Sequence, residues 1–127
     1  MPKERIQPPG LPRPPTYSHV VKAGNTLYLA GQVPVDAQGQ VVGRGDITAQ
    51  ATQVFENIGK ALAAGGATLA DLVKITVCIT DPRFREPVSE VRRKYLGTDL
   101  PASTLLVVAG LAQPDYLLEI EGIAVVD

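Results

Sequence analysis

Near the end of the chain the run LEIEGIAVV sets two carboxylates, Glu119 and Glu121, two positions apart among aliphatic residues. Residues two apart on a strand share a face, so both acids point together into surroundings that solvate them poorly. A carboxyl group partly removed from water keeps its proton to higher pH, and beside a cleft it becomes a proton donor or an anchor for a water nucleophile. The plainer alternative is that the pair faces solvent or meets a lysine or arginine of a neighbour. Tyr17 stands where a proline-rich arm meets the first apolar run, and its phenol either closes a pocket or simply packs. His19 and Cys78 are the only histidine and the only cysteine, and both lie in apolar runs. They read as a satisfied hydrogen-bonding group and an inert thiol. Arg92, Arg93 and Lys94 form a short basic run, either a solvated helix face or a source of one cation for a carboxylate ligand at a subunit boundary.

The remaining chemistry is spare. There is no phosphate-cradling glycine motif, and one Cys with one His cannot supply a zinc cluster, so no metal and no cofactor is expected. A formal net charge of -1 offers no footprint for a polyanion, which argues against a nucleic-acid partner. A lone cysteine excludes an internal disulfide and favours a reducing compartment. The first fifteen residues mix charge and proline without a continuous apolar stretch, so neither a signal peptide nor a membrane anchor is expected, and the cytoplasm is the default location.

The elements that must position these groups follow from periodicity. At 127 residues, 45% hydrophobic and 20% charged, the chain has the size and composition of one folded domain. Residues 1–16 read as an extended arm, with five prolines in QPPGLPRPP, and a single domain over 17–127 follows. SHVVKA and TLYLAGQV, joined by Gly24-Asn25, give a hairpin. Asp46 is a plausible cap for a helix carrying Ile47, Ala51, Val54, Phe55, Ile58 and Leu62 on one stripe, stopped by Gly65-Gly66. Val73, Ile75, Val77 and Ile79 alternate with polar residues as a half-buried strand. A second helix carries Phe84, Val88, Val91 and Tyr95 and ends at Gly97, and two strands around 104–109 and 117–125 complete the chain. The order is ββαβαββ, an α/β (α+β) sheet with two helices on one face. Both faces of TLLVVA are apolar, so the second face also wants cover, and packing of that face against another subunit is predicted.

The string YSHVVKAGNTLYLAGQV, continuing through QVFENIGKALAAGGATLADLVKITVCITD, PASTLLVVAGL and LEIEGIAVV, resembles the Rid (YjgF-like) family of reactive-intermediate deaminases over nearly the whole domain. The resemblance implies a chorismate-mutase-like fold and a homotrimer with clefts between subunits. It also implies cofactor-free hydrolysis of enamine or imine acids to the carbonyl compound and ammonia. By the same resemblance Tyr17 matches the pocket tyrosine, Gly31 the ligand-facing backbone and Glu119 the water-positioning glutamate.

The chain departs from the archetypal pattern where it matters for substrate. Ser103 stands where an arginine grips the substrate carboxylate, Ala30 where a serine is usual, Leu105 where a cysteine is usual, and Ser89 near the place of an asparagine. Loss of the arginine removes a charge-assisted contact of about 1.5–3 kcal/mol, leaving a less polar pocket in which Ser103 donates at most one hydrogen bond. Two readings of function compete: a deaminase for a non-archetypal enamine or imine with Glu119 holding the water, and a non-catalytic trimer that binds a small metabolite. A ribonuclease reading, attached by label to the family, ranks behind both, given the near-neutral charge, 5% aromatic content and absence of a histidine pair.

Overall fold

The apolar stripe of the first predicted helix becomes the buried side of α1 (Ile47–Ala64), with Ala51, Val54, Phe55, Ile58 and Leu62 all inaccessible to water or nearly so. Asp46 caps it as expected, its side chain accepting from the Ala49 amide. In the computed structural model, which describes residues 2–127, α1 and α2 (Arg85–Leu96) pack against a single six-stranded sheet. The strands are β1 (Lys3–Ile6), β2 (Val20–Ala23), β3 (Thr26–Gln32), β4 (Leu72–Ile79), β5 (Ala102–Val107) and β6 (Leu118–Val125). Their spatial order is β1-β2-β3-β6-β4-β5. All neighbours are antiparallel except β4 and β5, which are parallel and joined through α2. Phe55 stacks on Tyr95 at 5.3 Å between ring centres, joining the two helices. The Tyr95 phenol donates to Glu56 and is pushed up to about 12 by burial, reinforced by that bond.

The hairpin β2–β3 turns through Gly24 and Asn25 with Ala23 opposite Thr26. Only Gly24 of the pair has positive φ, at 61°, as a two-residue turn with glycine in its first position requires. Three elements differ from the sequence reading. The extended arm includes a strand that its own pattern does not announce: Lys3–Ile6 pairs along β2, which gives the order βββαβαββ, and Leu11 is buried in the core. The edge of β2 supplies the hydrogen bonds that KERI cannot specify by its own pattern. Val73 is exposed rather than inward, because β4 bulges there: Leu72 pairs with Ala124 and Lys74 with Ile123, leaving Val73 without a partner. The fifth strand begins at Ala102 rather than 104, since its parallel register runs from Lys74↔Ala102 to Ile79↔Val107.

The two faces of the sheet differ sharply. Ile75, Val77, Ile79, Leu118 and Ile120 are fully buried beneath the helices. Thr76, Cys78, Glu119, Glu121 and Ile123 occupy the opposite face, where Tyr28 and Leu106 stand 49% and 47% exposed.

Candidate functional site

Glu119 lies on this uncovered face, opposite Cys78 and one strand in from β3. Between Leu29↔Gly122 and Gln32↔Ile120 the pairing of β3 with β6 slips by one residue, so Ala30 and Gly31 together oppose Glu121. The bulge brings the Gly31 backbone under the Glu119 side chain. A Cβ at Gly31 would collide with the carboxylate and come within 2.7 Å of Cδ and 2.9 Å of Cγ. A side chain at 31 would have to displace the Glu119 carboxylate from the space it occupies.

Burial raises the Glu119 carboxyl above the ordinary carboxylate range, and the neighbouring Glu121 charge adds to the rise. No group among the described residues donates a hydrogen bond or an ion pair to it, yet its oxygens keep access to water. Burial and the same two glutamates push the Cys78 thiol up as well, which removes thiolate character and fits the inert reading.

Beside Gly31 opens a cleft of about 250 Å³ lined by Tyr17, Gly31, Val33, Tyr116 and the arm from Leu11 to Pro15. The Tyr116 phenol is raised by burial and by the proximity of Tyr17 and Glu119, so the two tyrosines and the glutamate form one neighbourhood. Tyr17 is 55% exposed and meets the His19 ring edge to face at 6.1 Å. His19 is buried with both ring nitrogens engaged: Nε2 donates to the Pro12 carbonyl at 2.6 Å and Nδ1 accepts from Gln32 Nε2 at 3.1 Å. It anchors the arm and has no nitrogen free for proton transfer.

Tyr17, Gly31 and Glu119 are thus brought into one neighbourhood. Ser103 and Leu105 are not. They lie on β5, beyond β6 and β4, and their register with Ile75 and Val77 turns them to the helix side, where Leu105 packs against the core. Arg92 sits near the start of β5 in a separate hollow with Ser89, Leu96 and Pro101, and burial without a carboxylate partner lowers its pKa.

Three positioning groups escape the sequence reading. Gln50, fully buried on α1, donates to the carbonyls of Gly43 and Asp115 and accepts from the Leu117 amide. It pins the loop that carries Tyr116 and leads into Glu119. Asn57, seven residues on, donates to the carbonyls of Val33 and Val35 and holds the cleft's other wall. Two amides spaced by seven beside an apolar stripe are the signal that marks them. Tyr116 has a weaker one, standing three residues before Glu119.

A half-open cleft without metal-ligand clusters among the described residues has on one wall Gly31, and against Gly31 rests a carboxyl group of raised pKa, features found in small-molecule sites. The family model described as endoribonuclease L-PSP matches residues 12–126, and the chain belongs to this family, also called Rid or YjgF-like. A RutC family protein of Pyrococcus horikoshii is 41% identical over 96% of this chain and 97% of its own length. The 3-aminoacrylate deaminase RutC of Acinetobacter baylyi is 35% identical over 98% of each chain. Among solved structures, RidA from an Antarctic Psychrobacter superposes with a TM-score of 0.90 at 37% identity, covering 97% of this chain and 99% of that one. Escherichia coli TdcF with bound serine gives 0.90 at 30% identity over 98% and 99%. Imine and enamine deaminases therefore occur among its relatives.

Proposed function

We propose that this protein hydrolyses a reactive enamine or imine metabolite to the carbonyl compound and ammonia, without metal or cofactor. The observation that carries the reading is Glu119: a carboxyl group of raised pKa, without a hydrogen-bonding or ionic partner among the described residues, resting on a bare glycine that lines a small cleft. A carboxyl group whose pKa is raised holds its proton to higher pH than an ordinary carboxylate and can donate it, and once ionised it accepts a proton from water. Protonation activates the imine nitrogen. As water's oxygen bonds to the imine carbon, Glu119 takes the water's proton and passes it to the amine nitrogen; collapse of the carbinolamine then forms the C=O bond as the C–N bond breaks, the hydroxyl proton goes to the Glu119 carboxylate, and nitrogen leaves as ammonia. Tyr17 and Tyr116 close the cleft and offer phenolic donors, while the Gly31 backbone permits close approach of the substrate.

The unit of function in this reading is a cytosolic homotrimer. Tyr28 and Leu106 on the uncovered sheet face favour subunit packing there. Sedimentation at micromolar concentration should show a trimer; a monomer would remove the intersubunit part of the account. A second reading, a non-catalytic metabolite binder, draws support from Ser103, which leaves the edge strand without the archetypal arginine. A ribonuclease finds less support, since the only histidine is locked between Pro12 and Gln32.

The deciding experiment generates 2-iminobutanoate from threonine with a dehydratase and follows release of 2-oxobutanoate with and without this protein. Accelerated release supports the deaminase. Release no faster than in buffer, for this and for 3-aminoacrylate, would leave the binder.

A further inference from the structure

The cleft beside Gly31 has a largely apolar wall, and Arg13 is the one lysine or arginine that lines it. No aspartate or glutamate is among its lining residues, and both ring nitrogens of His19 are already engaged within the chain. The ion pairs of the described residues engage Arg44, Arg83 and Arg93, so the Arg13 guanidinium has no carboxylate partner. Its five donors stay available to a ligand.

The arm around Arg13 is fixed at several points. Ahead of it, Leu11 is buried, the Leu11 carbonyl accepts from Gln7 Nε2 at 2.9 Å, and the Pro12 carbonyl accepts from His19. Upstream, β1 ties the chain to β2. Pro12 precedes Arg13, and Pro14 and Pro15 follow it; a residue before proline is confined to extended backbone. The backbone under Arg13 is therefore set before any ligand arrives, and only the side chain loses freedom on binding.

We propose that Arg13 is the carboxylate-recognising residue of this cleft and a specificity determinant for anionic imine acids with short apolar side chains. The assignment rests on the deaminase reading for the word imine, but the anion site stands on the geometry of the arm. It takes over the task for which Ser103 is unsuited, and from the opposite side, since Arg13 shares the cleft with Tyr17 and Gly31 whereas Ser103 lies three strands from β3. Val33, Val35 and the prolines of the arm supply the apolar wall for the substrate's aliphatic part.

The test uses binding of a stable product-like acid, so it does not depend on turnover. Calorimetric titration with 2-oxobutanoate and with its neutral amide is run on wild type, Arg13→Ala, Arg13→Lys and Arg92→Ala. Arg13→Ala should weaken the acid about tenfold or more and leave the amide unchanged, with Arg13→Lys in between. Arg92→Ala should bind the acid as wild type does. Equal affinity of wild type and Arg13→Ala for the acid, no binding by wild type, or loss in Arg92→Ala instead would each overturn the assignment. The two readings fail separately: imine hydrolysis by wild type with no effect of Arg13→Ala removes only the clamp, whereas Arg13-dependent binding without any hydrolysis removes only the deaminase.

Discussion

The helix side of the sheet and its uncovered side are built on opposite rules. Beneath α1 and α2 lies the apolar core, and every buried amide there has partners: Gln50 and Asn57 between them satisfy five backbone groups. On the other side Glu119 is half-buried without a donor, Glu121 adds a like charge, and Arg13 faces the adjoining cleft without an acid. Groups left unsatisfied cost stability unless something else supplies the partner. The half-buried carboxyl group and the exposed arginine are groups that a ligand, a water or another subunit can complete, whereas the amides of the helix side are already completed within the chain.

Substitutions that break this contrast should separate stability from activity. Phe55→Ala, at the centre of the helix side, removes a fully buried ring that stacks on Tyr95 and should cost about 3–5 kcal/mol in chemical denaturation. Gln50→Ala strands the Gly43 and Asp115 carbonyls and the Leu117 amide, at a cost of about 1–3 kcal/mol; activity should fall as well, because the Tyr116 loop loses its tether.

Glu119→Gln should act in the other direction. The folded-state pKa of Glu119 lies above its unfolded value, so the stability linked to its proton is fully present below the unfolded pKa and is lost as pH rises through the folded pKa. The glutamine variant escapes that loss, so thermal melts should show it more stable than wild type near neutrality, with the gap closing below pH 4.5, the ordinary value for the side chain. Gly31→Ala has the smallest expected effect on stability. The new methyl group meets the flexible end of Glu119 rather than backbone, so the fold yields by moving the carboxylate, and turnover should drop by roughly a hundredfold with melting temperature nearly unchanged.

The same two sides explain what was legible in the sequence. Periodicity marks the helix side well, because burial on one face imposes a regular apolar repeat: the stripe of α1, the alternation from Ile75 to Ile79 and the Asp46 cap all appear where predicted. It fails where the chain gains a residue or takes its pairing from elsewhere. The bulges at Val73 and at Ala30–Gly31 interrupt alternation, and β1 is a strand only because β2 offers an edge. Glu119 was visible as an acid among aliphatics. Tyr116 and Arg13 were not, since an exposed arginine between prolines and a tyrosine in a loop acquire meaning only when the arm and the β5–β6 connection meet beside Gly31. Ser103 and Leu105 were named through the family resemblance, and within one chain they stand apart from the cleft.

The central claim is that Glu119 is kept at a cost to the fold because it performs the reaction. Wild type and Glu119→Gln should be compared at neutral pH, with melting temperature and the rate of 2-iminobutanoate hydrolysis read from the same preparations. A higher melting temperature together with hydrolysis reduced to the rate in buffer is the predicted result. A variant that hydrolyses the imine as fast as wild type would contradict the account.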